Sequence, residues 1–201
     1  MQILCLASAS PRRQELLALL SVPFTVRPAR IDETPVLHED PDTYVQRMAV
    51  HKAEAGHQEW LAGPDTDHCW VLGADTIVVL DGLIMGKPES AADGKAMLKR
   101  LSGRTHQVLT AVCLWAPTGQ YQIERVTTAV TFGALTARDI DAYWATGEPA
   151  DKAGAYAIQG LGARFVTRIE GNYHAVVGLP LDVTARMLTT AAFDLWTGSL
   201  R

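Results

Sequence analysis

Val71–Pro88 reads VLGADTIVVLDGLIMGKP, and this stretch decides the fold class. Val71 to Leu80 is long, apolar and rich in β-branched residues, as a buried strand requires. Asp81-Gly82 then supplies the residue types that a two-residue hairpin turn demands, and Leu83 to Gly86 returns as a second strand. An antiparallel return inside an otherwise alternating chain argues against a purely parallel sheet.

Working outward, Ile3 to Ala7 reads as a strand. Ser10 followed by Pro11 supplies an N-cap and a first helical residue for a helix to about Leu20. Asp40 with Pro41 repeats the device for a helix to about Gly56. Ser90 caps a helix ending at Gly103. Gln107 to Trp115 and Tyr121 to Phe132 form paired strands around Thr118-Gly119, and Thr136 with Asp139 starts another helix. The glycine-rich EPADKAGAYAIQGLGA reads as a loop, Arg164 to Glu170 as a strand, and a last helix follows Gly178-Leu179-Pro180. The expected architecture is a mixed-sheet α/β or α+β fold in a single domain over residues 1–201.

The 201 residues are 48% hydrophobic, enough for a full core, and the formal charge is -4. With no basic run and no one-sided charge bias, a general nucleic-acid binder and an anionic-membrane binder are both disfavoured. MQILCLASAS lacks the basic start and the length of a signal segment, so a cytoplasmic protein is expected. Cys5, Cys69 and Cys113 are odd in number and form no CxxC pair, which points to buried free thiols. HQEWLAGPDTDHC, from His57 to Cys69, is the most polar stretch and is loop-sized.

Four local features depart from the core pattern. Arg12 and Arg13 open a helix whose start already carries positive partial charge, which asks for a negative group nearby; with Ser8 and Ser10 beside them, a phosphate is one candidate. Being about 100° apart on the helix, the two arginines address different points. Lys52 follows Val45 and Met48 at helical spacing and so falls on an apolar face, where it either snorkels outward or has a functional role. Asp75 sits inside the apolar strand and needs a cation, water or a metal. Lys87 is a candidate partner for it, although strict pairing about Asp81-Gly82 sets Thr76 opposite Lys87 and turns Asp75 to the other face. Lastly, Asp151, Lys152 and Gln159 lie among Gly154, Gly160 and Gly162, which suits either close approach to a ligand or a plain loop.

In this order, LASASPRRQELL, IDE, the Arg47–Lys52 segment, GADTIV, GKP, LSGRTHQV, DKAGAYAIQG and VVGLPL closely resemble the Maf family of nucleoside triphosphate pyrophosphatases, from about Ile3 to Leu188. Within that family the chain is similar to the branch acting on dTTP and UTP. The resemblance implies two lobes around a cleft, an architecture related to inosine triphosphate pyrophosphatases, and commonly a homodimer. It also implies cleavage between the α and β phosphates, with Mg²⁺ or Mn²⁺, to a monophosphate and pyrophosphate.

Residue by residue, the resemblance assigns Asp75 as proton acceptor and Ser8, Ser10 and Arg13 as phosphate ligands. It assigns Glu33, Lys52, Lys87 and Lys152 as polar active-site groups, and Arg12, Thr76 and Gln159 as specificity positions. Glu33 and Asp75 are the oxygen donors suited to the metal. Ser21 stands where glycine is usual, and His51 where an acidic residue is common. The rival readings are a 7-methyl-GTP pyrophosphatase of the same family, which carries Trp, Gln and Glu at the three specificity positions, and a non-catalytic nucleotide-binding regulator of cell division.

Overall fold

A computed structural model describes residues 3–63 and 69–197. Seven strands form one mixed sheet in the order β2-β1-β3-β5-β6-β7, with β4 paired to β3. They are β1 (Ile3–Leu6), β2 (Phe24–Val26), β3 (Cys69–Leu80), β4 (Leu83–Met85), β5 (Thr105–Trp115), β6 (Tyr121–Phe132) and β7 (Val166–Glu170). The helices are α1 (Pro11–Ala18), α2 (Pro41–Leu61), α3 (Ala91–Leu101), α4 (Ala137–Ala145), α5 (Tyr173–Val177) and α6 (Leu181–Thr190). β1 runs parallel to both β2 and β3, whereas β3–β4 and β6–β7 are antiparallel, so the mixed α/β class is borne out. Among the described residues, no helix is long and apolar enough to cross a membrane.

The chain divides into two compact units. The first comprises residues up to Asp75, Thr110–Val126 and Gly178 onward; the second comprises Thr76–Leu109 and Thr127–Val177. In the first unit, the long helix α2 lies close against the sheet because two glycines let it. A Cβ on Gly56 would stand 2.9 Å from the Ala7 side chain, and one on Gly73 would stand 2.4 Å from the Ala49 carbonyl. Gly56 is therefore a packing residue and not a helix stop. α2 continues through His57 to Leu61, which corrects the loop assigned to that segment; residues 64–68 of the same stretch lie outside those described.

In the second unit, the Asp81-Gly82 turn has φ of 55° and 76°, both in the left-handed region that a type I′ turn needs. It sets the register Val78↔Met85 and Leu80↔Leu83 that the sequence implies. The core gathers Val78, Leu98, Val130, Phe132, Tyr143 and Tyr156. α3 meets α4 at Gly94, where a Cβ would stand 2.1 Å from the Trp144 ring. Thr136 and Asp139 form the expected capping box. All three cysteines are free and buried. Ser21, in place of a customary glycine, takes φ 58°, a conformation that explains the glycine preference. The short β2 and α5 carry too few residues for a periodicity to show.

Candidate active site

The apolar strand β1 delivers Ser8 into a buried position at the entrance to α1. Ser10 caps that helix by accepting the Arg13 N–H (3.4 Å), and Ser8 Oγ accepts the Ser10 N–H (3.2 Å). The Arg13 side chain folds back inside the first unit, donating from Nε to the Gly178 carbonyl (2.9 Å) and from a terminal nitrogen to Ser8 Oγ (3.2 Å). Burial lowers the pKa of its guanidinium, while the charges of Asp75 and Glu33 act in the opposite sense. Asp75 and Glu33 thus act on Arg13 from within the protein.

Lys52 and Asp75, two separate exceptions to the apolar pattern, turn out to answer one another. α2 points Lys52 along the same buried face as Val45 and Met48, and its ammonium does not snorkel outward. Lys52 Nζ donates to Asp75 Oδ1 at 2.8 Å and lies 2.8 Å from Glu33 Oε1. The Lys52 and Asp75 side chains are 11% and 12% exposed and Glu33 is 52% exposed, so one arm of this bridge is buried and the other open. The pairing of Asp75 with Lys87 is corrected: the cation on Asp75 is Lys52, and Lys87 is exposed just beyond β4. Strand alternation accounts for this, since Asp75 belongs to the opposite face from Thr76.

Glu33 lies on the connection from β2 to α2, and α2 holds that connection in place. Arg47 grips Glu39 with two 2.6 Å hydrogen bonds and reaches the Thr34 carbonyl at 3.3 Å, while Tyr44 donates to the Glu33 carbonyl at 2.8 Å. The Arg47 bonds hold the Glu39 carboxyl down at about 2. Burial, with Asp75 and Glu33 nearby, pushes the Tyr44 phenol up to about 12. Sequence reasoning missed Glu39 and Tyr44 as site groups, because nothing in residue spacing marks a carboxylate eight positions before its arginine as a brace.

Arg12 is half-buried one residue before Arg13, and Thr76 is half-buried next to Asp75 in β3. Lys152 pairs with its neighbour Asp151. Gln159 is exposed in the glycine-rich segment, which is not a plain loop but a series of short 3-10 turns over Glu148–Asp151, Ala153–Ala155 and Leu161–Phe165. Among the described residues, no group of three or more His, Cys, Asp or Glu is arranged to hold a metal. Glu33 and Asp75 nevertheless fit a shared divalent ion: they are two hard oxygen donors converging on one cation, and Mg²⁺ is commonly held by one or two carboxylates together with substrate phosphates.

The family model for Maf-like protein matches residues 3–191. The chain belongs to the Maf family. This Maf-family chain is 52% identical over 188 residues, 93% of its length and 96% of the other, to a protein of Pseudoalteromonas atlantica named dTTP/UTP pyrophosphatase. It is 51% identical, over 98% of both chains, to a protein of the same name from Moorella thermoacetica. In fold it resembles the solved structure of the Ham1 protein of Staphylococcus aureus, with a TM-score of 0.52 at 12% identity over 94% of this Maf-family chain and all of that one.

Proposed function

We propose that this chain is a nucleoside triphosphate pyrophosphatase that cleaves dTTP and UTP to the nucleoside monophosphate and pyrophosphate. The observation that carries the reading is the cluster of Arg13, Lys52, Glu33 and Asp75 beside the start of α1, two cations and two carboxylates in one partly buried group. It occurs in a chain about half identical, over nearly its whole length, to relatives named for that activity.

In this mechanism Ser8, Ser10 and Arg13 bind the phosphates. The helix start adds its positive partial charge, and the arginine is already oriented by Gly178 and Ser8. Lys52 holds one oxygen of Asp75, and that fixes the carboxylate as it accepts a proton from the attacking water. The water oxygen bonds to the α-phosphorus, the bond to the bridging oxygen breaks, and pyrophosphate departs with that electron pair. Glu33 and Asp75 would hold Mg²⁺ or Mn²⁺, which when bound neutralises phosphate charge. Lys87 and Lys152 serve as further phosphate cations, and Lys152 exchanges Asp151 for the substrate. Gln159, Thr76 and Arg12 select the base: a glutamine amide offers one donor and one acceptor, which match the carbonyl and N3–H of uracil or thymine. The active species is a homodimer of single-domain chains in the cytoplasm.

A panel of nucleoside triphosphates with Mg²⁺ or Mn²⁺, assayed for monophosphate and pyrophosphate, tests the proposal. dTTP and UTP should be the best standard substrates. Orthophosphate as the first product, preference for 7-methyl-GTP, or binding without turnover would each overturn it.

A further inference from the structure

The glycines of the Gln159 segment invite a ligand-based explanation, yet the structure gives them a different task. A Cβ on Gly160 would stand 2.3 Å from Glu148 Oε2, and one on Gly162 would stand 2.5 Å from the Tyr143 hydroxyl. Both glycines make room for two side chains of the same unit. Tyr143, 4% exposed in the last turn of α4, donates to Glu148 Oε1 at 2.7 Å and accepts the Ala157 N–H at 3.1 Å. Glu148 also accepts the Leu161 N–H at 2.9 Å and the Gly162 N–H at 3.0 Å. Ala157 precedes Gln159 by two residues and Leu161 follows it by two, so one hydrogen-bonded pair ties down both ends of the segment that carries it.

We propose that Tyr143 and Glu148 are positioning residues for base selection, holding Gln159 in the backbone geometry from which it reads the pyrimidine. The inference rests on Gln159 being the base-contacting residue of the proposed function. An exposed glutamine between two glycine-bearing turns would otherwise order its backbone anew at each binding event, and that cost is subtracted from recognition of the base. A carboxylate accepting three hydrogen bonds makes a firm anchor, since bonds to a charged acceptor are roughly twice as strong as neutral ones. The anchor acts through the backbone on either side of Gln159, so its loss should be felt through Gln159.

Tyr143→Phe removes the hydroxyl and keeps the ring, which packs edge-on against Phe165 at 5.0 Å. In a cycle with Gln159→Ala, Tyr143→Phe should lower kcat/KM for UTP about tenfold when Gln159 is present and less than about twofold when it is absent, the larger loss corresponding to one buried hydrogen bond. KM should carry most of the change, and Tm should fall by several degrees, as the loss of a buried hydroxyl from Glu148 and the Ala157 N–H requires. Glu148→Gln, which retains one acceptor oxygen, should fall between Tyr143→Phe and Glu148→Ala. Hydrogen exchange at the amides of Ala157, Leu161 and Gly162 should quicken in Tyr143→Phe. Equal losses with and without Gln159 would make the pair merely structural and overturn the proposal, as would unaltered exchange. A wild-type chain that cleaves no pyrimidine triphosphate would instead overturn the proposed function, leaving the exchange measurement to judge the anchor by itself.

Discussion

Lys52→Met should expose how much of the first unit's stability rests on one ammonium. The substitution keeps the stem length on the buried face of α2 and removes the charge that meets Asp75 and Glu33 at 2.8 Å each. Breaking a buried pair by deleting one partner costs about 3–5 kcal/mol, because the other charge stays behind without compensation. That figure applies to the Asp75 arm, whose two side chains are 11% and 12% exposed; the Glu33 arm, 52% exposed on the carboxylate side, adds at most about 1 kcal/mol. For a chain of this size the Tm should fall by about 10 °C. Lys52→Met with Asp75→Asn should recover about 2 kcal/mol or more of the loss, since removing both charges leaves no stranded one. Urea unfolding of the wild type, both single variants and the double variant measures the coupling. A loss below about 1 kcal/mol for Lys52→Met, or strict additivity in the double variant, would refute the reasoning.

Burial pulls His106 down to about 4 from its ordinary value of 6.5, so the unfolded chain binds a proton between those values that the folded chain does not. Stability should therefore fall as pH drops from about 6.5 to about 4, by about 3 kcal/mol at full extent, and His106→Gln should flatten that limb of a pH series of urea midpoints; an unchanged slope would count against it. Gly73→Ala should destabilise by about 3 kcal/mol, because its Cβ would meet the backbone of α2 at Ala49 and Ala53, 2.4 and 2.5 Å away; a Tm within a degree or two of wild type would show that the helix can move aside. Gln159→Glu should lower kcat/KM for UTP and dTTP by about 1–3 kcal/mol, and adding Arg12→Trp and Thr76→Gln should shift preference towards 7-methyl-GTP. An unchanged ratio of the two substrates would mean that the base is read elsewhere.

Much of this architecture was legible because the local signals are strong. The Asp81-Gly82 turn, the Thr136–Asp139 capping box and the Pro-led helices each follow from side-chain chemistry within four residues. Lys52 and Asp75 were visible as exceptions to an apolar pattern, but their pairing was not. Twenty-three positions separate them, and the partner nearest in sequence, Lys87, was the more obvious choice. Gly56 was misread, and the packing task of Gly160 and Gly162 was not seen, for a common reason: a glycine required by a neighbouring side chain looks the same in a sequence as one required by a turn or a ligand. The braces on Glu33 and Gln159, from Arg47–Glu39 and from Tyr143–Glu148, depend on where helix ends meet loops, which no periodicity encodes.

The central claim, attack of water on the α-phosphorus assisted by Asp75, is tested most directly by hydrolysing dTTP in ¹⁸O-labelled water and weighing the products by mass spectrometry. The account predicts one ¹⁸O in dTMP, none in pyrophosphate, and no labelled product from a folded Asp75→Asn variant. Label in pyrophosphate or orthophosphate, or wild-type turnover by Asp75→Asn, would contradict it.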